Sequence, residues 1–166
     1  MERALEQFLE FLRLERNCSP HTVNAYATDL QKLLAFLRPM GTEKPSDVRA
    51  YSLSQWLQSL ATAGLKPSSQ ARALTAMRMW FRFLLTKHQI QSDPTRDILF
   101  PKHRRPLPVV LNQSAMEALV TAPNTDKPRD LRDRAILELL YASGLRASEL
   151  CSLSLDDLNL QLGVVR

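Results

Sequence analysis

The stretch "FPKHRRPLPVVL" cannot lie inside one packed helix or sheet, and that constraint organises the whole chain. Pro101, Pro106 and Pro108 stand close together. Each lacks a backbone N–H and holds φ near about −65°, which disfavours helix interior and central strand alike. Between them, Lys102 to Arg105 are consecutive polar or basic residues. The expectation is a stiff, basic connection over 101–108, separating a unit at 1–100 from a second at 109–166. Such a connection could lie along a phosphate backbone, although proline-rich linkers also occur without that role.

Four segments before the linker carry the helical period. In "ERALEQFLEFLRLER" the residues Leu5, Phe8, Leu9 and Leu12 recur at i, i+3, i+4 and i+7, one amphipathic face. "SPHTVNAYATDLQKLLAFLR" opens with Ser19 as N-cap and Pro20 at the first helical position. Its apolar set is Val23, Tyr26, Leu30, Leu33, Leu34 and Leu37. "SLSQWLQSLATAG" ends at Gly64, a natural helix stop. "KPSSQARALTAMRMWFRFLLTKHQ" offers Leu74, Met77, Phe81, Leu84 and Leu85 as its buried stripe. "SDPTRD" supports a short helix or turn. The first unit therefore reads as a helical domain of four to five helices.

Charge is unevenly placed. Residues 1–108 hold 16 Lys/Arg against 9 Asp/Glu, a net of +7, and 109–166 hold 6 against 8, a net of −2. Nine of the basic residues, against two acids, fall between Lys66 and Arg105. A positive region of this kind fits a polyanion such as nucleic acid, or simply a solvated basic face. Arg72, Arg78 and Arg82 put charge on the fourth helix, where it is either solvated or laid against a DNA groove.

Beyond the linker, Asn112 or Ser114 can cap "SAMEALVTA", and "PRDLRDRAILELLYASG" makes a longer helix. Leu131, Ala135, Ile136, Leu139, Leu140 and Tyr141 read as its core side. "LRASELCSLSLDDLNLQ" gives a short helix and a turn, and "LGVVR" begins a β-branched strand. A strand needs a partner for its backbone groups, and no partner strand is visible, so the second unit is expected to be an incomplete domain. The chain shows no apolar run long enough to span a bilayer. Its acid-containing N-terminus does not read as a signal peptide. Cys18 and Cys151, with no CxxC context, read as free thiols of a reducing cytoplasm. His21, His88 and His103 are too dispersed for a metal site, and there is no phosphate-loop glycine motif.

Within "ILELLYASGLRASEL" the helical run breaks at Gly144, Arg146 follows, and Glu149 stands three residues on. Taken bare, Arg146 and Glu149 form an ordinary i, i+3 surface pair, worth about 0.2–0.5 kcal/mol. Their context resembles something more specific. "DLRDRAILELLYASGLRASELCSLSLDDLNLQLGVVR" is similar to the opening of the catalytic domain of tyrosine site-specific recombinases, the phage-integrase family. It resembles the bacterial Xer group most, nearer its XerD branch than its XerC branch. "SPHTVNAYATDLQKLLAFL" resembles that family's core-binding helix, and "PKHRRPLPVVLN" its interdomain linker, so the likeness covers nearly the whole chain.

The resemblance implies a mainly α fold. A SAM-like core-binding domain of four to five helices at 1–100 is followed by the linker, then by the first helices and the start of a strand of an incomplete α+β catalytic domain. It assigns Arg146 to the scissile phosphate, where a forked, always-charged guanidinium suits two phosphate oxygens and the charge that builds in the transition state. Glu149 matches the supporting acidic position, orienting the site. Gly144 permits the sharp turn that presents the arginine. The family's reaction conserves phosphodiester energy through a 3′-phosphotyrosine, so the implied requirement for ATP, metal or other cofactor is none. Its remaining residues (a hairpin lysine, a His-x-x-Arg word, a His or Trp, and the tyrosine) are expected beyond Arg166. Tyr26, Tyr51 and Tyr141 are not nominated for the nucleophile.

For contact with duplex DNA the candidates are His21, Thr22, Asn24 and Tyr26 on the second helix, Ser68, Ser69, Gln70, Arg72 and Arg78 on the fourth, and Lys102, Arg104 and Arg105 in the linker. Each has a plainer role available: capping for the serines, packing for Tyr26, solubility for the arginines. The resemblance further implies a tetramer on two duplexes with a partner Xer recombinase, control by a septal DNA translocase, chromosome dimer resolution, and a cytoplasmic location. The chain on its own is expected to bind DNA without cutting it. The alternative is a helical DNA-binding module that has no chemistry at all.

Overall fold

The structure is a computed structural model, and residues 1–99, 109–124 and 126–165 are described. The chain divides into two compact units, residues 1–105 and 106–166. The residues of the expected linker, 101–108, lie outside the described residues, and with them the candidates Lys102, Arg104 and Arg105.

In the first unit, α1 (Glu2–Leu14), α2 (Pro20–Leu37), α3 (Ala50–Thr62) and α4 (Pro67–Thr86) pack on one another. Helix α2 begins as the sequence suggests: Ser19 accepts a hydrogen bond from the Thr22 N–H at 3.2 Å, with Pro20 following. Helix α3 stops at Gly64, whose φ of 76° is the left-handed conformation that lets Leu65 N–H reach back to Leu60 O.

The core joins the inner faces of all four helices. Phe8, Leu12, Leu30, Leu33, Leu37, Leu53, Trp56, Leu74, Met77, Trp80, Phe81 and Leu84 are fully buried. Phe83 lies with its ring centroid 5.0 Å from Phe11 and 5.6 Å from Phe8, tying α4 to α1. The buried Trp80 indole N–H donates to Ala4 O at 3.4 Å, so the large apolar ring enters the core with its polar atom satisfied. Leu85 departs from the expected stripe and is 36% exposed. It sits one residue, about 100° of helix rotation, past the buried Leu84. Phe83 takes the third position in that turn. Residues 94–97 form turns, and Thr95 is buried with its hydroxyl donating to Asp93 Oδ1 at 2.7 Å.

The second unit holds α5 (Gln113–Thr121), α6 (Pro128–Ser143), α7 (Ala147–Ser152) and a small antiparallel ladder of β1 (Leu158–Asn159) and β2 (Val164–Val165). Of the two caps offered by the sequence, Asn112 does the work: its side chain accepts from Ala115 N–H at 2.9 Å. Two expectations fail here. The run "LGVVR" does have a partner strand, for Leu158 pairs with Val165 and Asn159 with Val164. Asn159 Oδ1 accepts from the N–H groups of Gln161 and Leu162, and Gly163 at φ 64° completes the turn that brings the strands together. The expected core side of α6 is also open in part, for only Ile136, Leu139 and Leu140 of that set are half-buried. Leu131 is 56% and Tyr141 61% exposed, and Ala135 is exposed as well. Within its unit α6 packs on α5 and α7, helices of nine and six residues, and these cover only part of its surface.

Candidate functional site

The segment around Arg146 is built from backbone conformation first. Gly144 adopts φ 67°, closes α6 through its N–H to Leu140 O at 3.0 Å, and turns the chain. Nothing lies within 4 Å of the place a Cβ would occupy, so the glycine is required by conformation and not by crowding. Two residues later Arg146, in extended conformation, is the N-cap of α7.

Glu149 closes this turn. Its carboxylate accepts from the Arg146 backbone N–H at 2.8 Å and from Arg146 Nη1 at 2.7 Å. One carboxylate therefore caps α7 and clamps the side chain of the cap residue. These two hydrogen bonds, the backbone one foremost, hold the Glu149 carboxyl below its ordinary range. The Arg146 side chain is 81% exposed, so most of its fork faces solvent. As an exposed pair this contact adds little to stability. What it supplies is orientation of a cation at the entrance to a helix. Further along, Asp157 accepts from the N–H and hydroxyl of Ser154, and the same reciprocal arrangement lowers its pKa.

The remaining candidates lie on α2 and α4, helices that pack on one another. His21 and Asn24 are exposed on α2, and Thr22 and Tyr26 are half-buried. Thr22 is engaged with Ser19, hydroxyl to hydroxyl at 2.9 Å. On α4, Ser68 is exposed and Ser69 and Gln70 are half-buried. Neither serine caps the helix, whose N-cap is Lys66 without a side-chain bond. Gln70 donates to Leu65 O at 2.7 Å, bracing the α3–α4 connection.

Both arginine candidates on α4 have internal partners. Arg72 donates from Nε and Nη2 to the two carboxylate oxygens of Asp29 on α2, at 2.9 and 3.2 Å. Arg78 donates from Nη2 to Ile98 O, holding the segment that leaves the helical unit. A shallow depression beside it is lined by Thr75, Arg78, Met79, Arg82, Asp93, Thr95 and Arg96. Asp29 is the residue sequence reasoning missed. Its position between Tyr26 and Leu33, i+3 and i−4 on the apolar stripe of α2, is the signal that could have found it: a carboxylate on a buried face needs a cation. Burial, with contributions from Cys18 and Asp29, raises the Tyr26 pKa, and Arg72 opposes the shift.

Among the described residues no helix is long and apolar enough to cross a membrane. Residues 5–88 match the family model for the phage integrase N-terminal SAM-like domain, and residues 109–166 match that of the phage integrase family. The chain is 41% identical over 165 residues to tyrosine recombinase XerD of Yersinia pestis, covering 98% of this chain and 54% of that protein. It is also 41% identical over 162 residues to tyrosine recombinase XerC of Xanthomonas campestris pv. campestris strain B100, covering 98% and 50%. Overall identity thus does not favour the XerD branch over the XerC branch, and the chain spans about half the length of these curated relatives. Among solved structures, the integrase from mycobacterium phage Brujita shares the fold with a TM-score of 0.55 at 18% identity, over 95% of this chain and 50% of that one. The exposed, carboxylate-held arginine after a left-handed glycine therefore sits in a chain that belongs to the phage integrase family, the tyrosine recombinases.

Proposed function

We propose that this chain supplies the DNA-binding helical unit and the first part of the catalytic unit of a site-specific recombinase that cuts and rejoins duplex DNA. The observation that carries the reading is Arg146, exposed and clamped by Glu149 at the start of α7. A guanidinium held in this way meets a phosphodiester without first being ordered, and its forked donors suit two non-bridging oxygens. As a tyrosine oxygen attacks phosphorus and the sugar 5′-oxygen leaves, charge accumulates on those oxygens and Arg146 offsets it. Glu149 keeps the fork in place and transfers no proton. The tyrosine, the second arginine and the hairpin lysine belong to sequence beyond Arg166, and the domain limits 1–100, 101–108 and 109–166 are part of the same proposal.

The recombinase acts in the cytoplasm on chromosomal sites, as a tetramer with a partner Xer recombinase on two duplexes. It resolves chromosome dimers under the control of a septal DNA translocase. Similarity to XerD and XerC proteins supports this reading. The 166-residue chain alone binds duplex DNA and does not cut it.

Incubation of this chain with end-labelled duplex, followed by native and by denaturing electrophoresis, tests the last statement: a retarded complex is expected in the native gel, and a covalent adduct in the denaturing gel would refute it. Reading the coding sequence past Arg166 tests the rest. A hairpin lysine, a His-x-x-Arg word and a tyrosine are expected, and an in-frame stop would favour a non-catalytic DNA-binding module. In a chain carrying those residues, Arg146→Lys should abolish strand cleavage while leaving DNA binding intact.

A further inference from the structure

Arg72 and Asp29 form an unequal pair. The Asp29 side chain is 4% exposed and the Arg72 side chain 47%. The carboxylate lies inside the α2–α4 contact, and the guanidinium reaches from it toward solvent. The two hydrogen bonds use Nε and Nη2, the lateral edge of the guanidinium. A guanidinium has a second edge, formed by Nη1 and the other Nη2 hydrogen, that can bind an oxyanion while the first is occupied. Asp29 sits midway along α2 and Arg72 in the second turn of α4. Tyr26 lies close enough to feel both charges.

We infer that Asp29 is a positioning residue for DNA binding: it grips the lateral edge of Arg72 so that the terminal edge faces outward to take a backbone phosphate. This inference rests on the DNA-binding reading above. A free arginine would lose side-chain entropy on each phosphate contact, whereas one already held by a buried carboxylate loses less. A carboxylate thus strengthens the binding of a polyanion, opposite in sign to its simple electrostatic effect.

That sign makes the test decisive. The 166-residue chain, its Asp29→Asn variant and its Arg72→Lys variant are titrated against a fluorescent mixed-sequence duplex over a range of salt concentrations, and thermal melts define a temperature at which each is folded. Asp29→Asn removes a negative charge, so a purely electrostatic role predicts tighter binding. Positioning predicts binding weaker by about tenfold, the scale of one charge-assisted hydrogen bond, with the salt slope reduced by about 0.9. Arg72→Lys keeps a cation beside Asp29 but has no second edge, and the same direction of loss is expected. Should Asp29→Asn fail to fold, Arg72→Lys decides alone. Either folded variant binding as tightly as the parent chain, or tighter, overturns the inference. Failure of the parent chain to bind duplex overturns the DNA-binding reading itself, so the two failures are distinguishable.

Discussion

The two units are held in shape by different means. In residues 1–99 the helices bury their apolar faces against one another, and Phe8, Leu12, Trp56, Trp80 and Phe81 are almost wholly withdrawn from solvent. In the second unit, no described residue of α5, α6 or α7 is buried. Local devices define its elements instead: the Asn112 cap, the left-handed Gly144, the Glu149 clamp, the Ser154–Asp157 turn and the Asn159 turn. Packing distributes stability across a unit, whereas a cap secures only the turn it closes. An arginine can be held in place by either route. Arg72 is placed by a buried partner from another helix, and Arg146 by a carboxylate three residues away.

This contrast can be broken by experiment. Both tryptophans, Trp56 and Trp80, lie in the first unit, so tryptophan fluorescence reports that unit alone. Phe8→Ala should destabilise it by about 3–5 kcal/mol, read from urea unfolding by fluorescence. An unchanged midpoint would mean that the core is not shared among α1, α2 and α4 as described. Gly144→Ala should cost about 1–2 kcal/mol through the left-handed conformation alone. The loss should appear as faster amide exchange in α6 and α7, with the fluorescence transition unmoved. Ser19→Ala should cost about 1 kcal/mol, the value of an N-cap, and this time within the fluorescence transition.

The smallest effect concerns acidity. The Glu149 carboxyl is depressed from its ordinary value of 4.5 by the bonds to Arg146, so the folded turn favours the ionised form. Its contribution is complete above that ordinary value and is lost as pH falls through the depressed one. Amide shifts of Ala147–Ser152 followed through acid should therefore lose their helical character below pH 4.5. The fluorescence of the first unit should not follow the same titration. If both signals move together, the loss is not confined to the turn that Glu149 closes.

Much of the helical unit was legible because its signals are local. Ser19 before Pro20, Gly64 after a helical run, and apolar residues at three- and four-residue spacing each constrain the backbone where they stand. Periodicity reads a stripe but not its edges. Leu85 fits the pattern yet is left outside, because Phe83 meets the rings of α1. The stripe of α6 misled in part: Leu131 and Ala135 fit the spacing yet are exposed, because apolar spacing promises a buried face only where something is packed against it. The ladder of β1 and β2 was missed because its strands are two residues long, too short for an alternating pattern, and depend on the Asn159 turn.

Of the candidate site, the sequence alone determined that Arg146 follows a helix break with Glu149 at capping distance. One residue's conformation and a three-residue spacing are sufficient for that arrangement. It also determined that positive charge gathers on the fourth helix. Only the tertiary structure decided what the α4 arginines do. Asp29 and Arg72 are 43 residues apart in the chain, and Arg78 meets Ile98 only where the exit segment folds back on α4. Spacing along one helix fixes which residues share a face. Which charge on a second helix comes to meet them depends on how the two helices pack, and no local pattern carries that information.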